Sequence, residues 1–477
     1  MTARLLLAAA TAGALAVAVG CGGGEAGAPP ATTAGAAAQA TTAPAPAPPV
    51  NDGVAVRVVD GDTDAPVAGA LVRGGGPGLD ERATSGSDGT ARLAGDVRLV
   101  RASAPGYGQA RAAARGPRVT VRLYDPKLQS PEYGGTPQRR RYLPAVRLGV
   151  PRGAPDWVFE SRTLLEFPPV VDRGLLVVGA NSGRVHALDA RTGEHLWARR
   201  QRGEIASSPA LSGDLVYVTS MDGALTAYRR ADGRQTWQFT TGGSPIESSP
   251  LVVDGLVYVG AHNGQLYALD ADSGALRWTY SAGGDIKSSA ALAGDAVVVG
   301  DYAGQVHAVD RRSGSGIWRY SGGQRFYGGA GVSGDTVVIG DIGGTVLALD
   351  RRSGAVRWSH GTGGSFVYAS PAIAGDDVYI GSYNGQFQAL DLATGAVRWS
   401  HDAGGRISGS ATVVDDVVYA TVLTRPGEPK RTFGLDAASG AVRYRGNDGR
   451  YSPAVGAGRN LYLVGTRTIY AFREPGT

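Results

Sequence analysis

The sequence predicts an all-β protein in which one short unit of four strands is repeated around a ring. The first observation is the spacing of the seven tryptophans, which lie 40 or 41 residues apart. They are Trp157, Trp197, Trp237, Trp278, Trp318, Trp358 and Trp399. The second observation is that each interval holds short runs rich in Val, Leu and Tyr between turn residues, with no helical apolar period. Such a unit is typical of a β-propeller blade.

One repeat shows how the strands follow from the residues. Residues 256–259 and 266–270 are apolar runs, and Asn263-Gly264 lies between them. This pair suits a two-residue hairpin because both central positions favour positive φ. Ser273-Gly274 then turns the chain into a fourth strand that contains Trp278. Equivalent turns in the other repeats predict the same antiparallel order.

Alignment of the repeats predicts eight blades. The three inner strands occur eight times, and the fourth strand also occurs eight times when Tyr444 stands in for the tryptophan. The strand at Trp157 precedes every inner strand, whereas the last inner set, residues 452–472, has no fourth strand after it. We therefore expect the amino-terminal strand to close the last blade, because closure pairs edges that would otherwise be free. The predicted propeller covers residues 151–477.

The end of the repeat carries a signature that resembles a known family. Residues 187–197 have the pattern Ala-x-Asp-x-x-Thr-Gly-x-x-x-Trp, and four further repeats have it with Ser or Thr before the Gly. The pattern resembles the PQQ-like repeat of quinoprotein-type propellers. Its Asp suits an Asx-turn and its Trp can fill the space between sheets. All seven tryptophans are therefore predicted to dock blades. Arg229 and Tyr444 depart from the pattern.

The amino terminus has the pattern of a lipoprotein signal over residues 1–21. Arg4 precedes an apolar stretch that is too short to span a membrane comfortably. Residues 18–21 resemble a bacterial lipobox, and Cys21 is the only cysteine. We expect Cys21 to carry a lipid that holds the protein on the extracytoplasmic side of the cell membrane. Residues 22–50 are mostly Gly, Ala, Thr and Pro, a composition that predicts a disordered tether.

Two further segments precede the propeller. Residues 51–125 contain alternating apolar runs and turn pairs such as Asp60-Gly61, which predict a small β-sandwich. The order of these runs resembles the carboxypeptidase regulatory-like domain, and that resemblance implies a spacer or adhesion unit. Residues 126–150 hold the basic excess of a chain whose formal charge is +5. We predict a solvated basic connector there and no nucleic-acid partner.

The best candidate binding site is the entry of the innermost strand in each blade. Where only packing matters, repeats should converge on one residue type, but these positions mix both charges with aromatic rings. In a closed propeller they lie near the mouth of the central channel, where ligands commonly bind. A wet channel mouth that tolerates polar residues is the alternative. This candidate ring consists of Glu166, Glu247, Lys287, Tyr327, Tyr368, Ser408 and Arg450.

A second candidate lies in blade seven. The turn between the second and third strands shares the face of the candidate ring, and in six blades it is a tight hairpin. In blade seven it expands to residues 421–431. A long insertion on a rigid scaffold is either a contact element or a tolerated surface loop. We predict a partner contact through its charged residues, which are Arg425, Glu428, Lys430 and Arg431.

Three functional hypotheses follow. The first is a non-enzymatic, monomeric envelope lipoprotein that acts as a binding or scaffolding platform for an envelope protein or polymer, without a cofactor. It resembles the propeller lipoproteins of the outer-membrane β-barrel assembly machinery. The second is a dehydrogenase that uses PQQ and calcium, as the repeats imply, although Cys21 alone cannot form the vicinal cysteine pair of many such enzymes. The third is a carbohydrate- or cell-wall-binding module that uses Tyr327 and Tyr368.

Overall fold

A computed structural model describes residues 53–474, except 77, 145, 147, 364 and 424–430. The predictions made for Cys21 and for residues 1–50 therefore lie outside the described residues. The same holds for Arg425, Glu428 and Lys430, whereas Arg431 is described. Across the described ranges, no helix is long and apolar enough to cross a membrane.

The first described segment consists of two sheets around one core. Their strand orders are β4-β1-β7 and β3-β2-β5-β6. Alternate residues of β1, such as Val56 and Val58, are buried in this core together with Val72 and Val100. The strands are β1 Val54–Asp60, β2 Leu71–Gly76, β3 Leu79–Thr84, β4 Thr90–Leu93, β5 Leu99–Ser103, β6 Ala110–Ala113 and β7 Arg118–Leu123.

A 3-10 turn, Pro126–Leu128, and two short strands, β8 Tyr142–Leu143 and β9 Trp157–Glu160, precede the repeated sheets. Sheets 1 to 4 consist of β10 Val170–Asp172, β11 Leu175–Gly179, β12 Arg184–Asp189 and β13 His195–Arg200; β14 Ala210–Ser212, β15 Leu215–Thr219, β16 Ala224–Arg229 and β17 Gln235–Thr240; β18 Leu251–Val253, β19 Leu256–Gly260, β20 Gln265–Asp270 and β21 Leu276–Ser281; and β22 Ala291–Ala293, β23 Ala296–Gly300, β24 Gln305–Asp310 and β25 Gly316–Ser321.

Sheets 5 to 8 repeat this order. They consist of β26 Gly331–Ser333, β27 Thr336–Gly340, β28 Thr345–Asp350 and β29 Val356–Gly361; β30 Ala372–Ala374, β31 Asp377–Gly381, β32 Gln386–Asp391 and β33 Val397–Asp402; β34 Thr412–Val414, β35 Val417–Val422, β36 Arg431–Asp436 and β37 Val442–Gly446; and β38 Ala454–Ala457, β39 Asn460–Val464 and β40 Thr468–Arg473. Strand β9 completes sheet 8 by antiparallel pairing with β40. The predicted all-β propeller fold, with an amino-terminal strand in its last sheet, is confirmed.

The tryptophans lie between consecutive sheets. In each of sheets 1 to 6, the indole Nε1 of the tryptophan donates a hydrogen bond of 2.8–3.3 Å to a backbone carbonyl of the next sheet. The ring also covers a turn glycine of that sheet, as Trp237 covers Gly274. Gly274 has φ 72°, and a Cβ there would stand 2.5 Å from the Trp237 ring. A side chain at this glycine would therefore be strained and would also displace the indole.

The sequence predicts a solvated connector at residues 126–150, but the structure contradicts this, because many of these residues are buried. The connector passes along the innermost strands of successive sheets. Its backbone carbonyls accept hydrogen bonds of 2.7–2.9 Å from backbone N–H groups of those strands. In sheet 7 it adds β8 in parallel to β34. Inner strands otherwise present unpaired backbone groups to the channel, and the connector carbonyls satisfy them. The donors are Val171, Leu211, Leu292, Val332, Ile373 and Val413.

Two arginines of the connector are fully buried, which explains why its charge misled the sequence analysis. Arg139 is 1% exposed and donates to the carbonyls of Ala290 and Pro250 at 3.0 and 2.8 Å. Its Nη1 lies 3.4 Å from an Oε atom of Glu132, which is also buried. Arg141 lies 4.5 Å from the centroid of the Tyr133 ring. Inner-strand carbonyls and one carboxylate thus replace the water that an arginine normally requires.

Candidate functional site

Six of the seven residues of the candidate ring surround one cavity at the mouth of the channel. This mouth cavity offers about 70 Å³ to water-sized molecules. Each of these residues stands four positions before the innermost strand of its sheet, so the repeat itself brings them together. The six are Glu166, Glu247, Lys287, Tyr327, Tyr368 and Ser408.

Arg450 is not among the residues that line the mouth cavity, whereas Tyr451 is. The reason is the register of sheet 8. Ala457 pairs with Asn460 across a two-residue turn in the way that Asp172 pairs with Leu175 in sheet 1, and counting back from these turns makes Tyr451 the counterpart of Glu166. The Arg450 guanidinium lies 5.2 Å from the centroid of the Tyr451 ring. The sequence alignment was therefore wrong by one residue at this position.

The floor of the mouth cavity comes from two sources that the sequence analysis missed. Tyr133 of the connector reaches the cavity, and its hydroxyl lies 3.0 Å from Ser410 Oγ. Serines at matching positions link neighbouring sheets, because the N–H of Ser249 donates to Ser289 Oγ at 2.9 Å and that of Ser370 donates to Ser410 Oγ at 2.8 Å. The spacing of 40 residues between these serines was a signal in the sequence. Tyr133 had no such signal.

Glu247 is the centre of the polar network in the mouth cavity. Its Oε1 accepts a hydrogen bond from the Tyr327 hydroxyl, and its Oε2 lies 3.0 Å from His262 Nε2 and 3.6 Å from Lys287 Nζ. Burial, with the Glu247 charge, raises the pKa of Tyr327 well above its ordinary value, so this phenol remains a donor. The Lys287 ammonium also lies 4.6 Å from the centroid of the Tyr302 ring.

Glu166 lines the same cavity in a different electrostatic setting. Burial raises the pKa of its carboxyl group, the nearby Glu247 charge raises it further, and Arg450 opposes both effects. No ion pair of the described residues includes Glu166, whereas Glu247 contacts Lys287 directly. The mouth cavity therefore contains two carboxyl groups in different settings, of which Glu247 is in direct contact with a cation and Glu166 has a raised pKa.

Aromatic rings extend from the mouth cavity across sheets 5 and 6. Tyr368 contacts Tyr327 and Tyr383 with centroid distances of 5.2 and 4.9 Å. Phe366, whose side chain is 48% exposed, lies 5.9 Å from Tyr383, and the Arg406 guanidinium lies 5.8 Å from the same ring. We call Phe366, Tyr368, Tyr383 and Arg406 the aromatic patch. Phe366, Tyr383 and Arg406 were not predicted, because they lie outside the single position in each repeat that defines the candidate ring.

The aromatic patch adjoins the long loop of sheet 7. The N–H of Leu423, a residue near the start of the loop, donates to the Arg406 carbonyl at 2.7 Å. Arg431 begins β36 on the other side of the loop and is exposed. The base of the predicted partner loop therefore lies beside the patch. Rings with exposed faces and a guanidinium group can bind a partner by stacking and charge-assisted hydrogen bonds.

The side chains and the size of the mouth cavity bear on whether it could hold a metal ion or a quinone. The described residues contain no group of three or more His, Cys, Asp or Glu side chains that could hold a metal ion. The mouth cavity, with about 70 Å³, is far smaller than the roughly 300–1,000 Å³ of typical sites for ligands of drug size. Tyr133 closes its floor. A tricyclic quinone does not fit the cavity in this form.

A family model described as "Outer membrane protein assembly factor BamB" matches residues 146–303 and 302–450. The chain belongs to this family. Two proteins with the same description align with it, one from Marinobacter adhaerens with 33% identity over 70 residues and one from Shewanella oneidensis with 36% over 67 residues. These alignments cover 15% and 14% of this chain and 17% of each relative. The chain thus matches about a sixth of the length of these curated relatives.

Solved structures extend the likeness at the level of the fold. A quinohemoprotein alcohol dehydrogenase from Comamonas testosteroni aligns over 73% of this chain and 81% of its own, with a TM-score of 0.62 and 16% identity. A europium-containing methanol dehydrogenase aligns over 71% of this chain and 89% of its own, with a TM-score of 0.61 and 15% identity. At such identities the likeness shows a shared propeller fold only.

Proposed function

We propose that this protein is a non-enzymatic binding platform of the cell envelope. The face around the mouth cavity would hold another envelope protein or polymer. The observation that carries this proposal is the aromatic patch, because it combines an exposed ring of Phe366 with the guanidinium group of Arg406 beside the Glu247 network. Membership of a family described as an assembly factor supports a role through contacts rather than through chemistry.

The segments that precede the propeller fit this role, because they would hold the propeller at the membrane and at a distance from it. In our proposal Cys21 carries a lipid anchor, residues 22–50 are a tether, and residues 51–125 are a carboxypeptidase regulatory-like spacer. The propeller itself is a ring of eight blades that acts as a monomer and needs neither a cofactor nor nucleic acid. The connector fixes the floor of the mouth cavity, so a partner would bind from the face that carries the aromatic patch.

Site-specific photo-crosslinking in intact cells tests the proposal. A benzophenone side chain is placed at Phe366, in the aromatic patch. The control position is Ile317, which is 50% exposed, compared with 48% for Phe366, but lies on an outer strand. We expect a discrete adduct from position 366 only, and a weaker one when Arg406→Glu is added. Equal adducts from both positions, or none from position 366, would overturn the proposal.

A further inference from the structure

A gap separates sheets 7 and 8. The gap offers about 290 Å³ to water-sized molecules, compared with about 70 Å³ in the mouth cavity. Strands β36 and β37 form one wall, with Tyr444 and Gly446, and strands β39 and β40 form the other, with Tyr470 and Phe472. The sequence explains why the space remains.

In most of the other outer strands, the residue two positions after the tryptophan fills the corresponding space. It packs on the third strand of the next sheet, as Phe239 packs on Tyr267 with centroids 5.2 Å apart and His401 on Phe433 at 5.5 Å. Six of these residues have rings and one has a guanidinium group, whereas Gly446 has no side chain. The seven are Phe159, Arg199, Phe239, Tyr280, Tyr320, His360 and His401.

Two further changes enlarge the same gap. Tyr444 replaces the tryptophan, and Thr432, which pairs with Gly446, stands where other sheets have apolar residues such as Leu225 or Val306. Tyr470 occupies the position of Tyr267 and Phe433 in their sheets, but its ring contacts among the described residues are not aromatic ones, and its hydroxyl donates to Asp448 Oδ2 at 3.2 Å. The gap thus lies where most other sheets have an aromatic side chain.

The ring that would fill the gap does not come from the rest of this sequence. Residues outside the described ranges include no Phe, Tyr, Trp or His. The rings of Tyr444, Tyr470 and Phe472 line the gap together with the polar side chains of Asn447 and Asp448. An aromatic ring that displaces water from the gap gains stability, because rings bury much apolar surface and prefer tilted contacts with other rings.

We propose that the gap between sheets 7 and 8 is a binding site for a single aromatic ring, such as a phenyl, phenol or indole group, supplied by another molecule. Two sources share this chemistry, a free aromatic compound and an aromatic side chain of a polypeptide. The site differs from the aromatic patch, so the proposal does not depend on the proposed partner-binding face.

Fluorine NMR with 4-fluorophenol and the full chain tests the site. Gly446→Phe places a ring in the gap, and it requires movement of only the outer end of the Tyr444 side chain, which lies 2.9 Å from the position of a Cβ at 446. We expect this variant to bind 4-fluorophenol at least tenfold more weakly and to melt at the wild-type temperature or above. Tyr444→Trp, which restores the side chain of the repeat, should weaken binding in the same direction if Gly446→Phe does not fold.

A matched variant provides the positive control. Tyr320→Gly removes the equivalent ring between sheets 4 and 5, so it should create a second site for 4-fluorophenol. A blocked Ala-Phe-Ala peptide distinguishes the sources, because it binds only if the gap accepts a side chain attached to a backbone. Failure of both probes to bind the wild type, or equal binding by wild type and Gly446→Phe, overturns the proposal.

Discussion

The buried pair of Glu132 and Arg139 should control the stability of the propeller, and Arg139→Met tests this directly. Among the described residues, Glu132 Oε2 has no hydrogen-bond partner and forms an ion pair with Arg139 at 3.4 Å, while the backbone of Val252 donates to the carboxyl group. Replacement of Arg139 leaves a carboxylate that is 5% exposed without a counter-charge. Breaking a buried ion pair in this way costs about 3–5 kcal/mol. Methionine keeps much of the side-chain volume, so the loss should reflect charge rather than a cavity.

The pH dependence of the loss follows from the pKa of Glu132. Burial raises this pKa in the folded state, and Arg139 opposes the rise. A carboxyl group with a raised folded pKa destabilises the fold at pH values above its unfolded pKa, and the penalty disappears below that value. Without Arg139 the folded pKa rises further. The charge-dependent loss in Arg139→Met should therefore be larger at pH 8, where the wild-type carboxyl group is ionised, than near pH 4, where the group is protonated in both proteins.

Urea unfolding at both pH values measures this effect. Glu132→Gln combined with Arg139→Met removes the unpaired charge, and the double variant should regain a large part of the stability lost at pH 8. Arg82→Met is the control, because Arg82 forms an exposed ion pair with Asp80 that should contribute no more than about 1 kcal/mol. Equal losses at both pH values, or no recovery in the double variant, would refute the reasoning.

Three further predictions concern the tryptophans, the anchor and the loop. Trp278→Ala should lower the free energy of unfolding by about 3–5 kcal/mol, because it removes an indole between sheets; a wild-type thermal melt would contradict this. Cys21→Ser should abolish the processed, membrane-bound form in cell fractionation, and its persistence would place the anchor elsewhere. Replacement of residues 423–431 by Asn-Gly should preserve the melting temperature but weaken the crosslink from Phe366 at least tenfold; an unchanged crosslink would show that the loop does not contribute.

The propeller could be predicted because its repeat is encoded locally. Most hairpins have their own Gly-containing turn, and seven of the eight fourth strands have their own tryptophan, so the pattern holds without any knowledge of distant contacts. The candidate ring followed from the same repeat, except at Arg450. There the inner strand β38 has four residues, whereas those of sheets 1 to 7 have three, and counting in the sequence could not detect the additional residue.

The connector could not be predicted because its partners are distant in sequence. Arg141 contacts the carbonyl of Ala411, 270 residues away, and Tyr133 contacts Ser410. A run of arginines is usually solvated, and nothing nearby in the sequence indicates that inner-strand carbonyls will replace the water. Burial of these charges is a property of the closed ring and appears only when the channel exists.

Departures from the repeat have two different physical meanings in this protein. At the channel mouth, Glu247, Lys287 and Tyr327 differ from one another, yet a hydrogen bond from Tyr327 and an ion pair with Lys287 join them through Glu247, so variation there produces a constructed site. At Tyr444 and Gly446, variation removes side chains and produces an empty space. Both departures are visible in an alignment of the repeats. Only the structure distinguishes the two cases. A network requires polar atoms of different sheets to be in contact, whereas a gap remains where neither of the two facing sheets supplies a side chain that fills it.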